Sequence, residues 1–218
     1  MGGQGGRGTH NRADQRLTGR GQAMSEAAAV DAIPASQRAR RERILDAAME
    51  LATDGGWDAV QMREVAERAD VALGTLYRYF PSKVHLLVSV LGRTFQALHE
   101  SARVERAGTP QERVYRVVAV MTRYLARHRR LSGAMIRALM TAGAETARDV
   151  EGVGDQLVGL IAQATHEPGV APTDHDTLVA HIIGKVWLTD VVTLLSGRMT
   201  VSQVLEDLEA TIALVMAD

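Results

Sequence analysis

The 218-residue chain has no cysteine and only 4% aromatic residues. Without cysteine it cannot form a disulfide, bind a metal through thiolates or use a thiol nucleophile. No apolar run reaches the roughly 18 residues needed to cross a bilayer, and the N-terminus lacks the apolar core of a signal peptide. These absences predict a cytoplasmic protein without a membrane partner.

A strong net charge is also missing, because 25 basic and 26 acidic residues leave a formal charge of −1. Overall charge therefore gives no sign of a nucleic-acid partner, and a DNA-binding surface has to arise from the local order of residues. Hydrophobic residues make up 46% of the chain, with Ala, Leu, Arg and Glu common. This balance favours helix over sheet and predicts an all-α protein of about nine helices.

Three regions follow from the pattern along the chain. Residues 1–36 are rich in Gly, Gln and Ala with almost nothing apolar at helical spacing, which predicts a disordered arm. Residues 37–81 are predicted to form a helix-turn-helix DNA-binding domain. Residues 82–218 are predicted to form a helical ligand-binding and dimerisation domain.

The helix-turn-helix prediction rests on short helices around a tight turn. Apolar residues three to four apart predict a first helix from Gln37 that stops at the glycine pair 55–56. Two short helices follow, from Met62 to Ala69 and from about Ala72 to Tyr79, and Asp70 stands where the turn needs a residue tolerant of left-handed backbone angles. Short helix, tight turn and short helix are the layout of this motif.

The remaining helices are predicted from the same periodicity. Ser82 can cap a long helix that reaches roughly Arg106. A loop is predicted at residues 167–172. The other helices are expected at residues 110–127, 131–142, 145–165, 174–195 and 200–216.

The second short helix has the composition of a DNA-recognition helix, because it carries Arg78 and no acid. Thr75 can bond a base or a phosphate, and Leu73 and Tyr77 can lie against a thymine methyl group. Tyr79 can donate its hydroxyl to a phosphate, and Lys83 can bind one at the start of the next helix. Taken singly, the two tyrosines could equally be packing residues and Arg78 a solvated charge.

The stretch from Val65 to Lys83, VAERADVALGTLYRYFPSK, resembles the signature of TetR-family repressors. Gln61, Asp70 and Ala72 depart from the family pattern, where Thr, Gly and Ser are common. The resemblance implies an N-terminal helix-turn-helix, an operator-binding homodimer formed through the last two helices, and no enzymatic activity. The DNA contacts that the resemblance implies are Arg63, Leu73, Gly74, Thr75, Tyr77, Tyr79 and Lys83, and Gln61 and Arg78 are further candidates.

A closer likeness exists within the family. The segments VQMR at residues 60–63 and KVHLLVS at residues 83–89 resemble the actinobacterial repressors of cholesterol catabolism, in which the glutamine at position 61 is a feature of the branch. This resemblance implies control of sterol or lipid catabolism genes, with a steroid acyl-CoA as the effector that releases the DNA.

The effector site is expected inside the C-terminal domain, where methionines adapt to irregular apolar shapes and a tryptophan offers a flat wall. Each candidate could equally be ordinary core. Four arginines around His128, at positions 123, 127, 129 and 130, could hold a CoA phosphate or simply be solvated. The candidate lining is Met121, Leu125, Met135, Leu139, Met140, Trp187, Val191 and Leu195.

Other functions remain to be separated. An enzyme is disfavoured because the chain has no Gly-x-Ser-x-Gly motif and no phosphate loop after a strand, and because His175 and His181 are spaced poorly for a shared metal. We therefore expect no cofactor and no metal. A regulator that senses a fatty acyl-CoA, an antibiotic or a drug is the main alternative, and an architectural DNA-binding protein without a ligand is a third.

Overall fold

The computed structural model describes residues 35–102, 108–166 and 170–217. Most of the predicted N-terminal arm therefore lies outside the described residues. The predicted end of the long helix beyond residue 102 and part of the loop predicted at residues 167–172 lie outside them as well.

Within these ranges the chain forms nine α-helices and no strand, which confirms the predicted all-α class. One 3₁₀ turn, Ala144–Thr146, precedes the seventh helix. The helices are α1 (Ala35–Ala59), α2 (Met62–Arg68), α3 (Leu73–Tyr79), α4 (Lys83–Ala102), α5 (Pro110–Arg127), α6 (Arg129–Met140), α7 (Ala147–Ala164), α8 (Asp174–Leu195) and α9 (Val201–Val215).

Two compact units divide the chain, residues 1–42 and residues 43–218. The described part of the first unit is the opening of α1, where the exposed Arg41 and Glu42 form an ion pair at 3.6 Å. Helix α1 begins at Ala35 rather than at the predicted Gln37. The hydrophobic core of the second unit begins at Ile44, which is fully buried.

The predicted stop of the first helix is a kink. Gly56 has a φ of 69° and a ψ of −153°, and glycine adopts such angles without a Cβ clash. A further helical turn continues to Ala59 and carries the half-buried Trp57. The kink therefore interrupts the straight path of α1 just before Trp57.

The C-terminal helices begin at strong local signals. Helices α5, α8 and α9 each start with a capping box, in which a threonine and an acidic or amide residue bond each other's backbone N–H groups. Helix α4 packs against α5, α6 and α7, while α8 packs against α5, α6, α7 and α9. The capping pairs are Thr109 with Glu112, Thr173 with Asp176, and Thr200 with Gln203.

Helix α8 corrects one expectation. It is 22 residues long and apolar enough by length and composition to cross a bilayer, whereas the sequence pattern predicted no such segment. However, 44% of its apolar window is buried inside the protein. Its buried residues include Val179, Ile183, Trp187 and Val191, a four-residue spacing typical of a helix that packs one face against a core.

Candidate DNA-binding and effector sites

The turn between α2 and α3 has the backbone that the sequence predicts. Among the residues that the structure describes, Asp70 is the non-glycine residue with a positive φ, at 51°. This confirms the expected left-handed turn at this position. The Val71 amide donates to the Ala66 carbonyl at 3.0 Å, and the Arg43 guanidinium donates to the Ala69 carbonyl at 3.4 Å. These bonds fix the angle at which α3 leaves the turn.

One face of α3 is anchored in the core and the opposite face is open. Leu76 and Phe80 are buried, whereas Gly74 and Arg78 are exposed and Tyr77 is 46% exposed. The exposed residues are three and four positions apart, so they share one side of the helix. This side therefore presents a small residue, a phenol and a guanidinium, with no acid in the helix.

The other predicted DNA contacts differ in exposure. Gln61 and Arg63 are exposed at the start of α2, and Thr75 is half-buried. Leu73 and Tyr79 are half-buried and pack against the core, so they serve the fold whether or not they touch DNA. The N-cap residues Gln61 and Ala72 make no side-chain capping bond, which is the structural consequence of their departure from the family pattern.

Lys83 lies against the aromatic ring of Trp57, which was not among the predicted site residues. Its Nζ is 4.3 Å from the ring centroid of Trp57, and the Arg137 guanidinium carbon of α6 is 4.7 Å from the same centroid. Burial lowers the pKa of the Lys83 ammonium, the nearby Asp58 carboxylate opposes this, and the Arg137 charge lowers it further. Its position directly after the glycine pair 55–56 is the local sequence signal that could have identified Trp57 as a site residue.

Hydrogen bonds connect α1 and α4 to helix α6 and to the 3₁₀ turn after it. Arg130 of α6 donates to the Asp54 carbonyl of α1 at 2.6 Å. His85 in the first turn of α4 lies 3.2 Å from the Glu145 carbonyl through Nε2 and 2.9 Å from the Ser82 hydroxyl through Nδ1. Helix α6 thus contacts α1 just before its kink, and the 3₁₀ turn after α6 contacts α4.

Most of the predicted effector residues lie between the C-terminal helices, where α4, α5, α6 and α8 meet. The Trp187 indole N–H donates to the Thr122 hydroxyl at 2.9 Å, and the Phe95 ring meets the Trp187 ring edge-on at 5.8 Å. Met135 receives a weak bond from Thr94 at 3.9 Å. Four helices therefore contribute side chains to one apolar interior.

The eight predicted lining residues are not equally enclosed. Leu139 and Leu195 are half-buried, and Met140 at the end of α6 is 55% exposed. Met140 thus lies at the surface, because it follows the last buried turn of α6. The buried members are Met121, Leu125, Met135, Trp187 and Val191.

One buried hydroxyl on α6 has no hydrogen-bond partner. The buried threonines of the described residues donate to a carbonyl three or four residues earlier, at 2.7 to 2.9 Å. Ser132 is fully buried and makes no such bond. An unpaired hydroxyl in an apolar interior costs about 1–3 kcal/mol, so this position is available to a polar group that enters the domain.

The predicted arginine cluster does not converge on one point. Arg129 donates to the Leu194 and Leu195 carbonyls at the end of α8, each at 3.3 Å, and Arg130 binds the end of α1. Arg123 instead borders a cleft of about 500 Å³ on α5, together with Tyr115 and Arg116. The arginines of α6 therefore bind backbone carbonyls of different helices, which does not support a shared phosphate site.

The outer sides of α8 and α9 combine exposed apolar residues with a buried acid. Leu178, Ile182 and Leu214 are 57%, 39% and 79% exposed. Asp190 is only 8% exposed, and its Oδ2 has no hydrogen-bond partner. Burial raises the pKa of the Asp190 carboxyl, and the Asp207 charge across the helix pair raises it further.

No cluster of three or more metal-ligating side chains occurs among the residues that the structure describes. His175 and His181 are both exposed on α8. The described part of the chain therefore offers no candidate metal centre.

Comparison with protein-family models gives two matches that together span most of the chain. Residues 44–90 match the model for bacterial regulatory proteins of the tetR family. Residues 108–215 match the model for the tetracyclin repressor-like C-terminal domain. The first match contains α2 and α3, and the second contains α5 to α9.

Full-length relatives and a solved structure extend this similarity. The chain is 45% identical over 183 residues to the HTH-type transcriptional repressor KstR of Rhodococcus jostii (strain RHA1), over 84% of this chain and 85% of that protein. A TetR transcriptional regulator from Rhodococcus sp. RHA1, known from a crystal structure, superposes with a TM-score of 0.78 at 36% identity, covering 84% of this chain and 98% of that one.

A more distant structure shares the fold alone. FadR of Thermus thermophilus, a TetR-family transcriptional repressor solved in complex with lauroyl-CoA, superposes with a TM-score of 0.64 at 21% identity, over 82% of this chain and 95% of that one. The nearer matches describe transcriptional regulators and not enzymes.

Proposed function

The chain belongs to the tetR family of bacterial regulatory proteins, and from this premise we propose that it is a cytoplasmic homodimeric repressor. It binds a palindromic operator through residues 37–81. A steroid acyl-CoA bound within residues 82–218 releases it from DNA and so induces sterol catabolism genes. The family consists of transcriptional regulators, so the chain acts on gene expression and is not an enzyme.

The observation that carries the operator-binding proposal is the open face of α3. Gly74, Tyr77 and Arg78 lie on one side of a helix whose other side is locked into the core by Leu76 and Phe80. A major groove admits such a helix, and an arginine or a tyrosine can then reach base edges or phosphates. The absence of acids from α3 removes repulsion from the DNA backbone.

Dimerisation through α8 and α9 makes operator recognition symmetric. The exposed Leu178, Ile182 and Leu214 supply apolar surface that a second copy would cover. In a symmetric dimer the two α3 helices must meet successive major grooves about 34–36 Å apart, so a small change in their separation abolishes simultaneous binding. A sedimentation measurement that finds only monomer at micromolar concentration contradicts this part of the proposal.

An apolar effector is large enough to operate such a switch. Moving the protein from 1% to 99% released requires about 5.5 kcal/mol of differential affinity, which about seven buried methylene equivalents supply at roughly 0.8 kcal/mol each. In the proposed mechanism the effector enters between α4, α5, α6 and α8 and displaces α4. Lys83 lies in the first turn of α4, so its contacts move with the helix.

The chemistry of the interior favours a sterol over a plain acyl chain. The buried, unpaired hydroxyl of Ser132 can bond a ring carbonyl or hydroxyl, whereas a saturated chain leaves it unpaired. The ring of Trp187 offers a flat surface inside the same C-terminal domain, where it bonds Thr122. The sequence likeness to repressors of cholesterol catabolism supports the same choice.

The test is a gel shift on the DNA upstream of the chain's own gene, with and without 3-oxo-cholestenoyl-CoA at fixed salt, since phosphate contacts make affinity strongly salt-dependent. We expect a specific shifted band that the sterol thioester abolishes. A specific band that the thioester leaves unchanged overturns the sterol proposal and retains the regulator. Absence of any specific band overturns operator binding at this DNA.

A fatty acyl-CoA effector is the second candidate, because the shared fold holds lauroyl-CoA in the Thermus thermophilus repressor. Thermal stabilisation by lauroyl-CoA, by the sterol thioester and by a panel of drugs separates the candidates. The Ser132→Ala variant sharpens the comparison, because it should weaken stabilisation by the oxo-sterol and leave stabilisation by lauroyl-CoA unchanged.

A further inference from the structure

We infer that Trp57 is a positioning residue for operator binding: its ring holds the Lys83 ammonium at the first turn of α4, where that ammonium binds a DNA phosphate. This inference rests on the operator binding proposed above. It adds a residue that lies outside the recognition helix and outside the family signature from Val65 to Lys83.

The contact is a cation–π pair with suitable geometry. The Lys83 Nζ is 4.3 Å from the Trp57 ring centroid, within the roughly 6 Å over which such pairs attract, and tryptophan is the strongest aromatic partner. Trp57 is half-buried, so one part of the ring packs against the core while another part is free to meet the lysine. The kink at Gly56 presents the ring at this place.

Positioning matters because lysine is flexible. A free lysine side chain samples many rotamers, and a phosphate contact must otherwise remove that freedom. On the ring, the Lys83 side chain is ordered before DNA arrives, next to the first backbone N–H groups of α4 that can share the phosphate. Ordering the lysine in advance therefore strengthens its contact with the phosphate, although no further contact is formed.

The same ring also links the lysine to the C-terminal helices. Arg137 lies 4.7 Å from the ring centroid, and its charge acts on Lys83 together with that of Asp58. Arg137 is five residues after Ser132 on α6, about 140° around the helix. A ligand that shifts α6 from its inner side would therefore also move the second cation on the Trp57 ring.

The experiment measures how operator affinity depends on salt. Each phosphate neutralised by a cation contributes about 0.9 to the slope of log affinity against log salt. We expect Lys83→Gln to lower the slope by about that amount per subunit. Trp57→Leu should produce at least half of the same drop, and the double variant should drop no further than Lys83→Gln alone. Trp57→Phe, which keeps an aromatic face, should restore most of the slope.

Matched controls separate positioning from folding and from net charge. Arg148→Gln removes one exposed charge on α7 and should leave the slope unchanged. Thermal melts of all variants establish that they are folded, and Trp57→Phe carries the test if Trp57→Leu does not fold: its slope should then lie between those of the wild type and Lys83→Gln.

Two results overturn the inference in different ways. If Lys83→Gln lowers the slope and folded Trp57 variants keep the wild-type value, the lysine binds phosphate without help from the ring. If Lys83→Gln itself keeps the wild-type slope while DNA still binds, Lys83 does not contact phosphate, and the operator contacts proposed for α3 stand without it.

Discussion

Helix α3, proposed to contact DNA, and the interior around Trp187 make opposite use of their side chains. In α3 the residues proposed to meet DNA, Gly74, Tyr77 and Arg78, are exposed and contribute little to the fold. Around Trp187, the residues proposed to meet an effector, apart from Met140 and Ser132, belong to the hydrophobic core or pack directly against it. A surface site can therefore be altered without cost to stability, whereas an interior site cannot.

This difference also decides whether the identity of a residue indicates what the site binds. An exposed arginine or glycine on a short helix is not required by packing, so its identity reflects the molecule that approaches from outside. A buried methionine or leucine satisfies packing first, and the same residue would be found there with or without a ligand. Mutations that measure stability and binding together test the contrast directly.

The largest effect is expected for Trp187→Ala. Loss of this side chain, its bond to Thr122 and its contact with Phe95 should lower the free energy of unfolding by about 3–5 kcal/mol. Urea denaturation followed by circular dichroism measures it. Trp187→Phe keeps most of the bulk and should lose clearly less. A loss below about 1 kcal/mol for the alanine variant would mean that the interior is already open.

A smaller effect, confined to binding, is expected for Tyr77→Ala. The side chain is 46% exposed, so the free energy of unfolding should change by no more than about 0.5 kcal/mol. Operator affinity should fall by about tenfold, corresponding to one good DNA contact of about 1–3 kcal/mol. Val170→Ala, at a residue of similar exposure outside α3, should change neither quantity. Unchanged operator affinity for Tyr77→Ala would remove the phenol from the interface.

Gly74→Ala should raise the free energy of unfolding and lower the affinity for the operator. A Cβ at this position meets no atom within 4 Å, so alanine should raise the free energy of unfolding by about 0.5–1 kcal/mol through reduced backbone entropy. Operator affinity should nevertheless fall, because the added methyl group occupies space where α3 approaches the bases. Gly154→Ala on α7 also enters open space and should stabilise without weakening binding. Full operator affinity in Gly74→Ala would show that close approach at this residue is unnecessary.

The smallest effect is expected from the buried acid of α8 and appears as a pH dependence. Burial, with help from Asp207, raises the pKa of Asp190 in the folded protein, so the folded state holds this proton more tightly than the unfolded state does. The free energy of unfolding should therefore fall as pH rises from the ordinary aspartate pKa through the raised one. Asp190→Asn should remove that decline and be the more stable protein at neutral pH.

Exposed Asp155 of α7 provides the control for this measurement. Asp155→Asn should keep the pH dependence of the wild type in thermal melts between pH 4 and 8. If Asp190→Asn also keeps it, the Asp190 carboxylate is already stabilised by a partner in solution.

Much of the DNA-binding module could be predicted from sequence because its signals are local. The turn at Asp70, the short helices on either side and the break at the glycine pair all follow from backbone preferences within a few residues. The helix boundaries at Thr109, Thr173 and Thr200 follow from capping residues in the same way.

The parts that sequence reasoning missed depend on partners distant in the chain. Nothing near Trp57 shows that Lys83 and Arg137 meet its ring, because these residues lie 26 and 80 positions away. Nothing near Arg130 shows that it binds the carbonyl of Asp54 rather than a phosphate. Burial is likewise set by the whole domain, which encloses Met135 and leaves Met140 at the surface.

The sequence by itself determined the helical class, the helix-turn-helix with its acid-free second helix, and the family to which the chain belongs. These properties depend on backbone preference, hydrophobic period and residue order, which act over short distances. The tertiary structure alone decided which face of α3 is open, which hydroxyl is left unpaired inside the C-terminal helices and which cations share the ring of Trp57. Those properties depend on contacts between helices, and such contacts exist only after the chain has packed.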